Sequence, residues 1–95
     1  MAKVEIYTRS WCPYCVGARA LLQAKNIQYR EIDVTSDKGL KQEMAERSGR
    51  FSVPQIFIDN VHIGGFDDLA GLDASGDLDR CFGNSATLDY STTAA

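Results

Sequence analysis

The stretch that decides the fold is Cys12-Pro13-Tyr14-Cys15, read together with the segments on either side of it. An apolar run at residues 4–7 precedes it, and an Ala- and Leu-rich segment at residues 16–24 follows it. This order predicts a strand, then the two cysteines, then a helix, so Cys12 stands at the helix N-terminus. Unpaired backbone N–H groups and the positive end of the helix dipole lie there, and both stabilise a thiolate relative to a thiol.

The spacing of the two cysteines predicts thiol–disulfide exchange. Cys15 follows Cys12 by about one helical turn, so it can attack a mixed disulfide formed on Cys12. Two alternatives use the same pair. A zinc site needs four ligands, and beyond the pair the chain offers only Cys81 and its sole histidine, His62, each alone and far along the sequence. A structural disulfide between residues so close together would remove little chain entropy.

The composition is that of an ordinary soluble domain. The chain has 95 residues, of which 44% are hydrophobic and 24% are charged, so we expect one domain with a modest core. The net charge of −3 gives no support to nucleic-acid binding, and no apolar run is long enough to span a membrane. Residues 1–3 lead directly into the first strand and leave no room for a signal peptide. We therefore expect a cytoplasmic protein, and in the cytosol a Cys-x-x-Cys pair usually serves catalysis or metal binding.

Hydrophobic periodicity predicts strands and helices in alternation. The predicted strands are residues 4–7, 27–33, 55–59 and 61–63, and the predicted helices are residues 13–25, 37–48, one that begins near 67, and a last turn or two at 77–82. In the first helix, Val16, Ala20 and Ala24 form the expected inward stripe, with Leu21 beside them.

Turn and cap residues mark where these elements end. Thr35 and Ser36 are the expected N-caps of the second helix, and Gly49 is its expected stop. Asp59-Asn60 is a turn signal typical of a β-hairpin. The resulting order, β-α-β-α-β-β-α, predicts an α/β fold with a four-stranded mixed sheet, a parallel pair plus an antiparallel hairpin, flanked by helices on both faces. We expect residues 1–83 to form the domain and residues 84–95, which are small and polar, to form a flexible tail.

Three segments resemble the signature segments of the glutaredoxin family. They are Cys12-Pro13-Tyr14-Cys15, Ser52-Val53-Pro54, and residues 64–69, which read Gly-Gly-Phe-Asp-Asp-Leu. Their order and spacing agree with the family over about residues 3–83, and the chain is most similar to its small bacterial dithiol members. The resemblance implies a thioredoxin fold, glutathione as co-substrate, and a cis peptide bond before Pro54. The family commonly has Thr where this chain has Ser52, which keeps the hydroxyl and loses a methyl group.

The resemblance also implies a glutathione-binding site. Glutathione carries two carboxylates and one ammonium, so its site needs cations at one end and an anion at the other. Arg9 and Lys41 match the basic positions of the family, and Asp68 matches the residue that receives the γ-glutamyl ammonium. The backbone N–H groups of Asp67 and Asp68 match those that meet the γ-glutamyl carboxylate.

The remaining implied contacts lie next to the first cysteine. A turn at Pro54 would place the main chain of Val53 beside Cys12, where it pairs with the cysteine of glutathione, and Tyr14 would flank the site. Each implied residue also has a structural interpretation. The basic pair can be solvated surface charges, the acidic pair helix caps, the tyrosine a surface aromatic, and the proline a trans residue that opens an edge strand.

The implied activity is reduction of protein–glutathione mixed disulfides and of protein disulfides, with Cys12 as nucleophile and Cys15 as resolving thiol. Ribonucleotide reductase and glutathionylated enzymes are the implied partners, and we expect a monomer without bound metal. Two alternatives stay open. One is a [2Fe–2S] cluster held by two monomers and two glutathiones on Cys12, and the other is a redoxin reduced by thioredoxin reductase rather than by glutathione. Cys81 is expected to be partly buried and to have no redox role.

Overall fold

Strands and helices alternate in the computed structural model, which describes residues 3–81. In chain order they are β1 (Val4–Thr8), α1 (Pro13–Ala24), β2 (Arg30–Asp33), α2 (Lys38–Ser48), β3 (Gln55–Ile58), β4 (Val61–Gly64), α3 (Phe66–Ser75) and α4 (Asp77–Arg80). The predicted order is confirmed, with α4 as the expected last turn. Residue 82, predicted to end that turn, and the expected tail at 84–95 lie outside the described residues, and the domain boundary at 83 stays a prediction.

The four strands form one mixed sheet in the order β2-β1-β3-β4, as predicted. β1 runs parallel to β2 and antiparallel to β3, and β3 pairs antiparallel with β4. Asp59 and Asn60 turn the hairpin with φ of 51° and 68°, the left-handed values that a type I′ turn requires at both positions. Tyr7, near the end of β1, pairs with Gln55 at the start of β3. The two central strands therefore bring the segments that follow β1 and precede β3 to the same edge of the sheet.

Side chains alternate between the two faces of the sheet, and each face has its own core. One cluster packs the sheet against α1, α3 and α4 and consists of Val4, Ile6, Ala18, Leu22, Ile56, Ile58, Leu69 and Leu78. The other packs it against α2 and consists of Tyr7, Ile32, Val34, Met44 and Phe57. The prediction of helices on both faces is confirmed. None of the helices within residues 3–81 has the length and apolar character needed to cross a bilayer.

The predicted inward stripe of α1 is wrong. Its members are exposed except for the half-buried Leu21, and the buried face instead carries Cys15, Ala18 and Leu22. Small and apolar residues occur on all sides of this helix. The periodicity therefore predicts a helix but does not determine which side of it faces the sheet. Packing against the sheet selects the rotation, since Ala18 and Leu22 join the core cluster with side chains of β1 and β3.

The prediction for α2 is correct at its C-terminus but not at its N-terminus. Asp37, rather than Thr35 or Ser36, caps the N-terminus, and its Oδ1 accepts a hydrogen bond of 2.9 Å from the Leu40 N–H. A carboxylate is as good a cap as a hydroxyl, so the sequence offered three adjacent candidates. Gly49 ends the helix with φ of 75°, the left-handed conformation predicted for a glycine stop.

Candidate active site

The N-terminus of α1 holds the first cysteine, as predicted. Cys12 is the N-cap residue and Pro13 is the first helical residue. The backbone N–H of Cys15 donates to Cys12 Sγ over 3.1 Å. A thiolate accepts such a bond more strongly than a thiol, and the helix dipole adds to the preference. The local structure is therefore arranged to hold a sulfur anion at this position.

The three cysteines differ in burial. Cys12 is partly exposed, Cys15 is completely buried, and Cys81, which we expected to be partly buried, is exposed after the short helix α4. Burial, together with the neighbouring Cys12 sulfur, raises the pKa of Cys15 to about 12. Cys15 is thus a thiol at neutral pH, and of the pair only Cys12 is open to a substrate.

The segment that precedes β3 lies against the first cysteine. The Val53–Pro54 peptide bond is cis, as the resemblance implied. The Val53 carbonyl oxygen lies 3.8 Å from Cys12 Sγ and accepts from this sulfur when it is protonated. Val53 is half-buried and Pro54 is buried. The main chain that leads into β3 therefore lies next to the Cys12 sulfur.

A groove of about 210 Å³ opens beside this segment. Its lining brings together five of the residues implied for glutathione, namely Tyr14, Val53, Pro54, Asp67 and Asp68, and adds Arg50, Ser52, Gly65 and Phe66. The rings of Tyr14 and Phe66 lie 6.4 Å apart, measured between centroids. The groove therefore has apolar aromatic walls and charged groups along its rim.

The acidic pair sits in the first turn of α3. Asp67 and Asp68 are both exposed, and Gly65 is the N-cap residue. The Asp68 Oδ2 accepts a hydrogen bond of 3.0 Å from the Gly65 N–H, so the capping interpretation of this residue is correct. A carboxylate has further lone pairs, so the same group can also accept from a ligand ammonium.

Arg50 was not singled out from the sequence, yet it lines the groove. It is exposed and lies two residues before Ser52, so its guanidinium adds a cation to the groove that the acidic pair also lines. Burial lowers the pKa of His62, and the charge of Arg50 lowers it further. The position of Arg50 two residues before the Ser-Val-Pro segment was the feature of the sequence from which a cation in the groove could have been predicted.

The two basic residues predicted from the sequence are not gathered in the groove. Arg9 lines a separate cavity of about 460 Å³, which also contains Cys12 and the side chain of Trp11. Trp11 is 99% exposed and has a left-handed φ of 61°. Lys41 is half-buried on α2 and lines neither cavity. Only Arg9 of this pair therefore shares a cavity with the first cysteine.

The described residues offer few groupings of side chains that could bind a metal ion. Residues 3–81 contain no group of three or more His, Cys, Asp or Glu side chains placed to hold a metal ion. The histidine considered for zinc, His62, instead makes a hydrogen bond of 2.7 Å between its Nε2 and the side-chain oxygen of Gln55.

The sequence model of the glutaredoxin family matches residues 4–63. Glutaredoxin 3 of Escherichia coli K12 is 54% identical over 79 residues, which cover 83% of this chain and 95% of that protein. The chain belongs to the glutaredoxin family. Members of this family are glutathione-dependent thiol–disulfide oxidoreductases.

Solved glutaredoxin structures have the same fold. Glutaredoxin from Brucella melitensis is 48% identical, with a TM-score of 0.77, and the match covers 93% of this chain and 96% of that one. The complex of buckwheat glutaredoxin with glutathione has a TM-score of 0.78 over 93% of this chain and 83% of that one, at 20% identity. At that identity the likeness shows the thioredoxin-type fold of glutaredoxins and not the details of a site.

Proposed function

We propose that this glutaredoxin reduces protein–glutathione mixed disulfides and protein disulfides, with Cys12 as the nucleophile and Cys15 as the resolving thiol. One observation carries the proposal: Cys12 is the open sulfur at a helix N-terminus, 3.1 Å from the Cys15 N–H, next to the groove described above. Cys15 is buried next to Cys12 and is protonated at neutral pH, since its pKa is raised to about 12.

Reduction of a mixed disulfide needs only Cys12. Its thiolate attacks the glutathionyl sulfur, the substrate's S–S bond breaks, and the protein thiolate leaves and takes up a proton. The product is a disulfide between Cys12 and glutathione. The thiolate of a second glutathione then attacks the glutathionyl sulfur of this disulfide, which releases oxidised glutathione and restores the Cys12 thiolate.

Reduction of a protein disulfide needs both cysteines. Attack by the Cys12 thiolate gives a mixed disulfide with the substrate and releases one substrate thiol. Cys15 then loses its proton and attacks Cys12 Sγ, which forms the Cys12–Cys15 disulfide and releases the second substrate thiol. Two molecules of glutathione reduce this disulfide and become oxidised glutathione.

Glutathione binding in the groove is supported by its charges and its main chain. Val53 offers peptide groups beside Cys12 for strand-like pairing with the cysteine of glutathione. In our proposal Asp68 receives the γ-glutamyl ammonium, the N–H groups of Asp67 and Asp68 receive its carboxylate, and Tyr14 flanks the ligand. Arg50 adds a cation to this groove. A contact between Arg9 and glutathione, and one between Lys41 and the glycine carboxylate, stay predictions.

A glutathione-coupled assay on a small mixed disulfide tests the proposal. We expect Cys12→Ser to abolish activity and Cys15→Ser to keep reduction of mixed disulfides while losing reduction of protein disulfides. Cys81→Ser is the matched control, because this cysteine is exposed and lies outside both cavities. Activity that persists in Cys12→Ser would show that the assignment is wrong, and dependence on thioredoxin reductase would favour the alternative electron donor.

The cluster-scaffold alternative stays a prediction from the resemblance and would use the same Cys12. Anaerobic purification separates the two, since a brown dimer supports a [2Fe–2S] scaffold and a colourless monomer supports the reductase. The proposed compartment is the cytosol, because the reaction consumes reduced glutathione, which is maintained there. Glutathionylated proteins and ribonucleotide reductase are the proposed partners.

A further inference from the structure

Gln55 is a buried polar side chain next to the candidate site that the mechanism above does not use. It directly follows Pro54, begins β3 and is only 1% exposed. Its Nε2 donates to the Ser52 carbonyl over 3.0 Å and lies 3.2 Å from the Ser52 Oγ. Its Oε1 lies 2.7 Å from His62 Nε2. A buried amide is costly unless its groups are paired, and here both ends are paired.

The partners fix the orientation of this amide. The Ser52 carbonyl can only accept a hydrogen bond, so the nitrogen of the Gln55 side chain must face it and the oxygen must face His62. His62 Nε2 then carries the proton that it donates to Gln55. The ring of His62 packs against Phe57 at 5.1 Å between centroids, which holds the donor in place. A chain of hydrogen bonds therefore runs from β4 through Gln55 to the segment before β3.

The anchored carbonyl belongs to the peptide unit that also contains the Val53 N–H. This Ser52–Val53 peptide bond is trans, so its C=O and N–H point in opposite directions. Because Gln55 holds the carbonyl on the buried side, the N–H of Val53 must point away from the interior. Ser52 and Val53 line the groove whereas Gln55 does not. Within residues 3–81 no hydrogen bond is donated by the Val53 N–H, so the group is left for a ligand.

We propose that Gln55 is a positioning residue that presents the Val53 N–H to the cysteine residue of glutathione, an assignment that rests on the function proposed above. It acts through the peptide plane and touches neither sulfur. The Cys12 sulfur has its own support in the Cys15 N–H at 3.1 Å, which is independent of Gln55. Loss of Gln55 therefore weakens the binding of glutathionylated substrate more than it changes the reactivity of Cys12.

The main test is Gln55→Met, which keeps the length and bulk of the side chain and removes its hydrogen bonds. We expect KM for a glutathionylated peptide to rise roughly three- to tenfold, the loss of about one hydrogen bond, with kcat changed less than twofold. Alkylation of Cys12 by iodoacetamide needs no glutathione and is expected to keep its rate. Ile58→Val, in the same strand and in the core, is the control for lost stability and is expected to leave KM unchanged.

Two further variants keep the proposal falsifiable should Gln55→Met fold poorly. Gln55→Leu removes both hydrogen bonds with a different apolar side chain, so KM is expected to rise at least as much. His62→Phe keeps the packing on Phe57 and both bonds to Ser52, so a smaller rise is expected. The proposal is overturned if KM is unchanged in both Gln55 variants. It is also overturned if the alkylation rate of Cys12 falls by the same factor by which KM rises. An inactive wild-type protein would instead overturn the proposed function itself.

Discussion

The backbone N–H of Cys15 lies 3.1 Å from Cys12 Sγ, so the proposed resolving residue also supports the proposed nucleophile. The two contributions come from different parts of Cys15. Its main chain stabilises a sulfur anion on Cys12, and its side chain supplies the second thiol. Substitution of the side chain leaves the main-chain donor in place. This is the structural reason why Cys15→Ser is expected to separate the two activities rather than to remove both.

Alkylation is expected to distinguish the two sulfurs sharply. Cys15 is completely buried and its pKa is raised to about 12, so at pH 7 it is almost entirely a thiol. In the Cys81→Ser background, iodoacetamide at pH 7 should add one group, at Cys12. Alkylation of Cys15 should rise only as the pH approaches 12 or the protein unfolds. Mass spectrometry of the folded protein makes the measurement, and two adducts at neutral pH would contradict the assignment.

Arg50 is expected to contribute to substrate binding through its charge. It lines the groove and is exposed, and charge pairs in such positions contribute about 0.2–1 kcal/mol. Arg50→Gln should therefore raise KM for a glutathionylated peptide roughly 1.5- to fivefold and leave kcat unchanged. The effect should shrink as salt is added, since exposed charges are screened. Arg30→Gln, an exposed arginine on the outer strand β2, is the matched control, and an equal effect there would indicate general electrostatics instead.

The ion pair between Glu5 and Arg47 is expected to make stability depend on acid pH. Glu5 is 7% exposed and lies 2.9 Å from the guanidinium, which also stacks at 4.0 Å on the ring of Phe57. The hydrogen bond from Arg47 lowers the pKa of Glu5 from its ordinary 4.5. Because the folded state binds this proton less tightly than the unfolded state, the stabilisation is present above pH 4.5 and is lost as the pH falls through the lowered pKa.

Glu5→Gln tests this contribution to stability. We expect it to cost about 1–2 kcal/mol at pH 7, since a charged hydrogen bond becomes a neutral one. The difference from wild type should narrow as the pH is lowered from 7 to well below 4.5, because wild-type Glu5 then takes up its proton. Urea unfolding at both pH values gives the two free energies. Glu46→Gln, on the exposed side of α2, is the control, and a gap that stays constant with pH would contradict the assignment.

The sequence predicts features that depend on neighbouring residues, such as helix caps. It does not predict which face of a helix is buried or which residues distant in sequence meet in the groove. Cys12 as a helix cap and Gly49 as a helix stop follow from neighbouring residues, and both are confirmed. The buried face of α1 is not coded in this way, because Val16 and Ala18 are both apolar and only the sheet decides which of them faces inward. The charges of the groove show the same limit. Arg9 is close to Cys12 in sequence but lines the other cavity, whereas Arg50 reaches the groove because the segment before β3 folds back beside α1.

Two helical glycines give a matched test of how tightly the groove wall is packed. Gly71 in α3 is exposed, and a Cβ built there meets nothing within 4 Å. Gly17 in α1 faces Phe66, and a Cβ built there would lie 3.1 Å from the Phe66 Cε1. Both replacements by alanine gain helix propensity, about 0.5–1 kcal/mol each. Only the second must also displace the ring that lines the groove.

We therefore expect Gly71→Ala to raise the free energy of unfolding by about 0.5–1 kcal/mol and to leave KM unchanged. Gly17→Ala should gain less stability than Gly71→Ala, or lose some, because the tight contact with Phe66 offsets the propensity. It should also raise KM for a glutathionylated peptide, since a shift of Phe66 by a few tenths of an ångström moves one of the aromatic rings that line the groove. Urea unfolding and steady-state kinetics on both variants make the comparison. Equal gains in stability with equal KM values would mean that the Phe66 ring moves aside freely and does not shape the site.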